Sequence, residues 1–81
     1  MRTLVVEDEI NNLNLLSHFL KKYCPEIELI DTAQTKEDGI ALIDELKPEL
    51  VFLDIVLDQH TAFELLEETQ HKDLKVVFVT A

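Results

Sequence analysis

Four short apolar runs alternate with three segments of helical period, and this alternation constrains the fold more than any other feature of the sequence. The apolar runs cover residues 4–6, 27–30, 50–53 and 75–80, and the helical segments cover about residues 10–23, 35–46 and 61–69. Strands that alternate with helices are typical of a parallel sheet, whose crossover connections are right-handed. We therefore predict a single α/β domain with the element order βαβαβαβ.

The first helical segment has the clearest pattern. Its apolar residues recur at steps of three and four, which puts them on one stripe that should face a core. This predicted stripe consists of Ile10, Leu13, Leu16, Leu20 and Tyr23. Thr35 and Asp38 have the spacing of a capping box and predict the start of the second helix. The four phenylalanines are interpreted as core residues rather than ligand platforms: Phe19, Phe52, Phe63 and Phe78.

The charge balance of the chain narrows the classes of partner. Among 81 residues, 17 are acidic and 7 are Lys or Arg, which gives a formal net charge of −10. Such a chain repels nucleic acid and anionic membranes and favours cations or basic partners. One cysteine, Cys24, cannot form an internal disulfide, and no apolar run approaches the roughly 20 residues of a membrane span. We therefore expect a cytoplasmic protein that binds neither nucleic acid nor membrane directly.

Acidic and hydroxyl residues stand at the ends of the predicted strands. Glu7 and Asp8 follow the first strand, Asp54 ends the third, and Thr80 ends the fourth. In open parallel sheets, ligands bind outside the carboxyl ends of the strands. If the first and third strands are neighbours, Asp8 and Asp54 lie in one crevice, where like charges raise each other's pKa unless a cation neutralises them. An oxygen-rich cluster of this kind suits Mg²⁺.

Each of these acids also has a purely structural interpretation. An Asp directly after a strand, such as Asp54, is commonly a turn residue or the N-cap of a helix. The run Glu7-Asp8-Glu9 could stabilise the N-terminus of the following helix through the helix dipole. The conjunction favours a functional site, because an acid pair, a third acid and a hydroxyl at three strand ends would otherwise need separate coincidences.

Three segments resemble the receiver domain of two-component response regulators, and the similarity extends over the whole chain. They are LVVEDE at residues 4–9, VFLDI at residues 51–55 and VVFVTA at residues 76–81. The resemblance implies a flavodoxin-like, doubly wound parallel sheet with strand order 2-1-3-4. It also implies a signal-transduction module, not itself an enzyme, that takes a phosphoryl group from a histidine kinase or a phosphotransfer protein.

The resemblance further implies a role for individual residues of the first two segments. Asp54 would accept the phosphoryl group, and Asp8 and Asp54 would bind Mg²⁺ directly. Glu7 would act on the metal through water. The backbone carbonyl of Val56 would complete the protein ligands.

The last residues of the chain have implied roles as well. Thr80 would hydrogen-bond a phosphoryl oxygen, and the small Ala81 would leave room for the anion. A receiver domain would continue after Ala81 with a helix, a strand that ends in a Lys, and a final helix, so residues 1–81 are interpreted as a partial, incomplete receiver domain. The strand at residues 76–79 would then form an exposed sheet edge, which predicts self-association.

Two positions after Asp54 depart from the family pattern. Receiver domains usually have Pro and Gly where this chain has Asp58 and Ala62. Without these residues the loop loses a turn constraint and needs a side chain at the usual Gly position. We expect Asp58 to cap the helix near Thr61, with an approach to the metal as the alternative.

Two other function classes stay open. One is an interaction or assembly fragment without phosphoryl chemistry, which would show no coupled response to Mg²⁺ and a phosphoryl analogue. The other is a Mg²⁺-dependent phosphohydrolase with an Asp nucleophile. That class is disfavoured, because such enzymes often have a second Asp two residues after the nucleophile, where this chain has Val56.

Overall fold

The computed structural model of the chain describes residues 1–79, so Thr80 and Ala81, with the roles predicted for them, lie outside the described residues. The elements in chain order are β1 Arg2–Val6, α1 Ile10–Tyr23, β2 Glu28–Ala33, α2 Lys36–Leu46, β3 Leu50–Asp54, β4 Val56–Leu57, β5 His60–Thr61, α3 Ala62–Glu68 and β6 Lys75–Val79. The four longer strands and the three helices confirm the predicted alternation. The short strands β4 and β5 were not predicted.

The four longer strands form one parallel sheet in the order β2-β1-β3-β6. This order confirms the predicted 2-1-3-4 arrangement, with β6 as the fourth strand of the sheet. β1 and β3 are adjacent at its centre, and Val6 is the register partner of Leu53. Glu7, which directly follows β1, and Asp54, the last residue of β3, therefore lie side by side at the carboxyl edge of the sheet.

Helices cover both faces of the sheet, as in a doubly wound fold. On one face, strand residues pack with α2 and α3 in a buried cluster of Leu4, Val6, Ala33, Ile43, Val51, Leu53, Leu57, Ala62 and Leu65. On the other face, Val5 packs with Leu13 and Leu20 of α1. Because successive strand residues point to opposite faces, a central strand covered on both sides is apolar throughout. Across residues 1–79, no helix is both long and apolar enough to cross a bilayer.

Each of the first two helices has an N-cap residue whose side chain accepts hydrogen bonds from N–H groups of the first turn. Glu9 caps α1, and its carboxylate accepts from the N–H groups of Asn11 and Asn12 at 3.1 and 2.9 Å. Thr35 caps α2, and its hydroxyl accepts from the N–H of Asp38. The start predicted for α2 is thus confirmed. Of the acids after β1, Glu9 is the one with the structural role.

The connection from β3 to α3 is a small antiparallel hairpin of β4 and β5, with Asp58 and Gln59 at its turn. The backbone of Asp58 is left-handed, with φ of 58°. The expected cap by Asp58 is wrong: α3 is capped by Thr61, whose hydroxyl accepts from the N–H of Glu64. Asp58 lies in the hairpin turn before β5, so the Thr61 hydroxyl is the group that faces the first turn of α3.

Several apolar residues that we expected in the core are exposed instead. Ile10 and Tyr23 are the first and last residues of α1, and both are exposed. Only the middle turns of this helix pack on the sheet. Phe19, Phe63 and Phe78 are also exposed. Their rings pack against neighbouring rings, with centroids 5.0 Å apart for Phe19 and Tyr23 and 5.5 Å apart for Phe63 and Phe78. Helical period thus identified α1 correctly but overstated the length of its buried stripe.

Candidate functional site

Three carboxylates converge at the carboxyl edge of the sheet. Glu7 and Asp54 are buried, with 5% and 9% of their surface exposed, and Asp8 is exposed. One carboxylate oxygen of each residue lies within 4.8 Å of those of the other two. The structure therefore brings together Asp8 and Asp54, which were predicted to share a crevice, and adds Glu7 from the end of the first strand. We call this set of residues the acidic cluster.

The central strands hold the two buried members of the acidic cluster. Beyond the end of β1, the N–H of Glu7 donates to the carbonyl of Ala33 at 3.0 Å, which continues the pairing with β2 by one residue. Asp54 is the last residue of β3 and the register partner of Val79 on β6. Both backbones are thus fixed by strands on either side, so neither carboxylate can withdraw far from the other.

Glu7 responds most strongly to these surroundings. Burial is the main reason why the pKa of Glu7 rises from 4.5 to about 7, and a hydrogen bond with Asp54 raises it further. The side-chain amide of Asn12 donates to Oε1 of Glu7 at 3.1 Å and lowers this pKa, while the charges of Asp54 and Asp8 raise it. Near neutral pH, Glu7 is therefore partly protonated. The acidic cluster holds more negative charge than its surroundings stabilise.

Backbone groups of the β3–α3 connection contact the other two acids. The N–H of Val56 approaches Oδ1 of Asp54 at 3.4 Å, and the N–H of Asp58 donates to Oδ2 of Asp8 at 3.0 Å. The N–H of Ala62 donates to the carbonyl of Ile55 at 2.8 Å and closes the base of the hairpin. Val56, which was expected to offer its carbonyl to the metal, lies two residues beyond Asp54 at the start of β4.

Two contacts of the acidic cluster were missed at the level of sequence. Asn12 is a polar residue in the first turn of α1, five positions after Glu7, and its location next to the strand end was a usable signal. The N–H of Asp58 left no such signal, because a backbone donor is common to every residue type except Pro. Its direction depends on the left-handed φ of the turn.

In the described part of the chain, no ion pair includes a member of the acidic cluster. Within residues 1–79, the two ion pairs are Lys36 with Glu68 and the pH-dependent pair of His60 with Glu64. Lys72 donates to the carbonyls of Leu66 and Glu67 at the end of α3.

The donor set of the acidic cluster fits a hard divalent cation. All of its ligand atoms are carboxylate oxygens, which are the ligands that Mg²⁺ prefers, and one of the three acids faces solvent. The raised pKa of Glu7 shows that a proton already competes for this negative charge. Glu7, Asp8 and Asp54 are thus the residues that would hold the ion.

Comparison with known proteins identifies the family. The model of the response regulator receiver domain matches residues 3–81. This chain belongs to the receiver domain family. Receiver domains accept phosphoryl groups, bind Mg²⁺ at an acidic pocket and interact with histidine kinases or phosphotransfer proteins. The resemblance found from the three sequence segments is therefore confirmed.

Two curated relatives illustrate how much longer the matched proteins are than this receiver chain. An uncharacterized response regulatory protein of Vibrio cholerae is 35% identical over 82 residues, which are 100% of this chain and 34% of that protein. The sensory transduction protein LytT of Bacillus anthracis is 32% identical over 83 residues, covering 100% of this chain and 33% of LytT. This receiver chain thus spans about a third of the length of these relatives.

Solved structures have the same fold. The response regulator domain of Thermotoga maritima CheB matches with a TM-score of 0.86 and 22% identity, over 99% of this chain and 60% of that one. The response regulator PhyR of Brucella abortus matches with a TM-score of 0.81 and 26% identity, over 95% of this chain and 32% of that one. Both comparisons support the flavodoxin-like arrangement of the receiver sheet.

Proposed function

We propose that this chain accepts a phosphoryl group on Asp54 and holds Mg²⁺ through Glu7, Asp8 and Asp54. The observation that carries the proposal is the position of Asp54. It ends the central strand β3, is buried, and shares the carboxyl edge of the sheet with two other carboxylates. Membership of the receiver family supports the same role.

The group transfer needs one nucleophile and one leaving group. A carboxylate oxygen of Asp54 supplies an electron pair to phosphorus, so that a new O–P bond forms. The P–N bond to the imidazole of a phosphohistidine donor breaks, and its electron pair returns to the imidazole nitrogen. The products are an aspartyl phosphate and a free histidine on the donor. Such a reaction depends mainly on positioning and charge stabilisation.

The acidic cluster would provide the cation for this reaction. A bound Mg²⁺ offsets negative charge on the incoming phosphoryl group and on the acids around it. Asp8 and Asp54 would hold the ion directly, Glu7 through water, and the Val56 carbonyl would complete the protein ligands. By the family likeness, Thr80 would hydrogen-bond a phosphoryl oxygen beside the small Ala81.

Acetyl phosphate tests the assignment of Asp54 without a protein donor. The 81-residue chain is incubated with acetyl phosphate and Mg²⁺, and its intact mass is measured. We expect the mass of one phosphoryl group to be added to the native chain and to the matched control Asp73→Asn, and not to Asp54→Asn. Undiminished labelling of Asp54→Asn would overturn the assignment. Repeated release of phosphate from a small ester would support a phosphohydrolase instead.

The partner of the proposed reaction is a histidine kinase or a phosphotransfer protein, and we assign the reaction to the cytoplasm. We also propose that residues 1–81 act as a partial receiver domain that does not bind nucleic acid or membrane directly. The formal charge of −10 supports this, because nucleic acid and anionic lipid would be repelled.

Self-association through β6 is a second proposal for the chain. Within residues 1–79, β6 pairs with β3 on one side and has no strand on the other. Val77 and Phe78 are each 43% exposed. An edge strand of this kind offers unpaired backbone groups and apolar surface to another copy of the chain.

Light scattering during size-exclusion chromatography tests this association over a range of protein concentrations. We expect the mass to rise with concentration and Val77→Lys to reduce it. Leu15→Lys makes the same change at an exposed apolar residue of α1 and should have no effect. A monodisperse monomer at high concentration would contradict the proposal. Dissociation by Leu15→Lys rather than Val77→Lys would assign the contact to α1.

A further inference from the structure

The turn after β4 contains a residue with a left-handed backbone. Asp58 and Gln59 connect the two strands of the hairpin, since Leu57 is the register partner of His60. Two-residue hairpin turns commonly need a positive φ, which Gly, Asn and Asp adopt most readily. Asp58 has φ of 58°. Its N–H direction is therefore set by a left-handed conformation that most residue types avoid.

The N–H of Asp58 donates a hydrogen bond to a member of the acidic cluster. It donates to Oδ2 of Asp8 at 3.0 Å across 50 positions of sequence. Asp8 is the exposed member of the cluster, so it is the acid most free to rotate into solvent away from Glu7 and Asp54. Like-charge repulsion within the cluster favours that rotation. A backbone donor opposes it by holding one carboxylate oxygen of Asp8.

We infer that Asp58 is a positioning residue for the cation site and that it acts through its backbone N–H rather than its side chain. Its N–H fixes the carboxylate of Asp8 toward Glu7 and Asp54, and the remaining lone pairs of that carboxylate stay available to a cation. This inference rests on the proposed function, because it concerns the same Mg²⁺ site. It deepens that proposal by adding a residue outside the three carboxylates.

The hairpin is built to keep this donor in place. Its base is closed by the hydrogen bond from the Ala62 N–H to the Ile55 carbonyl, and the Val56 N–H approaches Asp54. A proline at position 58 has no N–H and a φ near −65°, so it could not hold Asp8 in this way. Glycine at position 58 keeps the N–H and adopts a positive φ readily. In this chain, a substitution at residue 58 that keeps the N–H therefore keeps the contact with Asp8, whereas Pro, which receiver domains usually have at this place, removes it.

An ester bond in place of the peptide bond is the sharpest test. The 81-residue chain is assembled by ligation at Cys24, with Asp58 replaced by its α-hydroxy acid analogue, which removes the N–H and keeps the side chain. Mg²⁺ binding is measured by isothermal titration calorimetry. Since a hydrogen bond to a charged group is worth more than a neutral one, we expect the ester to bind Mg²⁺ roughly tenfold more weakly.

The matched control is the same ester at Gln59. In the part of the chain that the structure describes, the N–H of Gln59 donates to no other group, so this ester should bind Mg²⁺ like the native chain. Asp58→Gly keeps the donor and should rescue the affinity that Asp58→Pro loses. Rescue by Gly distinguishes a positioning role from a general loss of fold, as does the urea midpoint of each variant without Mg²⁺.

The outcomes separate this inference from the proposed function. If the native chain binds Mg²⁺ and the Asp58 ester binds it equally well, the positioning role of Asp58 is overturned while the cation site stands. If Asp58→Gly and Asp58→Pro weaken binding equally, the side chain rather than the N–H is responsible, and the inference fails. If the native chain itself does not bind Mg²⁺, the cation site of the proposed function fails first.

Discussion

The two ends of the receiver sheet differ in how their hydrogen-bond donors and acceptors are paired. At the amino ends of the strands, donors and acceptors are matched. The terminal amine of Met1 donates to the carbonyl of Glu26 at 2.7 Å, and the N–H of Arg2 donates to Oε1 of Glu49 at 3.0 Å. The guanidinium of Arg2 donates to the carbonyl of Lys47 at 3.2 Å. These contacts connect β1 to its neighbours.

At the carboxyl ends, acceptors outnumber donors. Glu7, Asp8 and Asp54 lie together, and the donors that contact them are an amide side chain and two backbone N–H groups. The fold therefore gains stability at one end and accumulates unneutralised charge at the other. Buried charge without a partner is costly, so a cluster of this kind is expected to cost stability until a cation or a proton arrives.

The largest expected effect is a pH dependence from the carboxyl end alone. Without Mg²⁺, the pKa of Glu7 is about 7 in the folded chain against 4.5 for an ordinary Glu, so the folded state binds the proton more tightly. Its contribution to stability is complete below about pH 4.5 and is lost as pH rises through 7. The loss is on the order of 3 kcal/mol, from the size of the shift.

Urea unfolding in EDTA between pH 4.5 and pH 8 measures this loss. Glu7→Gln cannot titrate and should remove most of the decline, while Glu49→Gln at the amino end should leave it unchanged. The interpretation fails if stability rises over this interval, or if Glu7→Gln declines as steeply as the native chain. Either result would mean that burial and Asp54 do not raise the pKa of Glu7.

The second prediction is that a cation replaces the proton at the same end. At pH 8, Mg²⁺ at a hundred times its Kd should raise the free energy of unfolding by about 2.7 kcal/mol, because it binds the folded state. Chelation with EDTA should reverse the gain. Asp54→Asn should abolish most of it, and Glu49→Gln should keep it. If Mg²⁺ stabilises Asp54→Asn as much as the native chain, the cation binds outside the acidic cluster.

Much of this fold followed from the sequence because its signals are local. The run Val51-Phe52-Leu53 predicted a central strand, and right-handed crossovers predicted that it would pair in parallel with its neighbours. What failed was the extent of burial. Phe63 and Phe78 are as apolar as any core residue, yet both are exposed. Phe63 is on α3 and Phe78 is on the outer strand β6, and their rings contact each other. Sequence period does not show which face of an outer strand is covered.

The site was predictable to the level of its side chains and no further. Asp8 and Asp54 could be assigned to one crevice, and Glu7 to the same end of the sheet, because the carboxyl ends of parallel strands share an edge. The turn at Asp58 could not be predicted, because its left-handed φ and its contact with Asp8 arise from a hairpin with only two residues in each strand. Short-range turn geometry overrode the helix-capping preference of an Asp near a helix start.

The third prediction uses a feature that both ends share. Lys47 at the amino end and Asp58 at the carboxyl end have φ of 48° and 58°, which is unfavourable for residues with a Cβ. Lys47→Gly and Asp58→Gly should each raise the free energy of unfolding by about 0.5–1 kcal/mol. Gln59→Gly, in the same turn but without a positive φ, should lower it. Urea midpoints measure all three, and a loss of stability in Asp58→Gly would show that its side chain supports the turn.

The smallest expected effect is that of Glu49→Gln, which makes at the amino end the same change that Glu7→Gln makes at the carboxyl end. At pH 8 without Mg²⁺, Glu49→Gln should alter the free energy of unfolding by about 0.5 kcal/mol or less, because Glu49 is exposed and the amide oxygen of Gln can still accept from the N–H of Arg2. Glu7→Gln should stabilise the chain under the same conditions, since it removes a buried charge that Asp54 and Asp8 repel. Urea unfolding of the two variants compares the ends directly. Equal effects would mean that the charge at the carboxyl end is neutralised within the folded chain, and the need for a cation there would disappear.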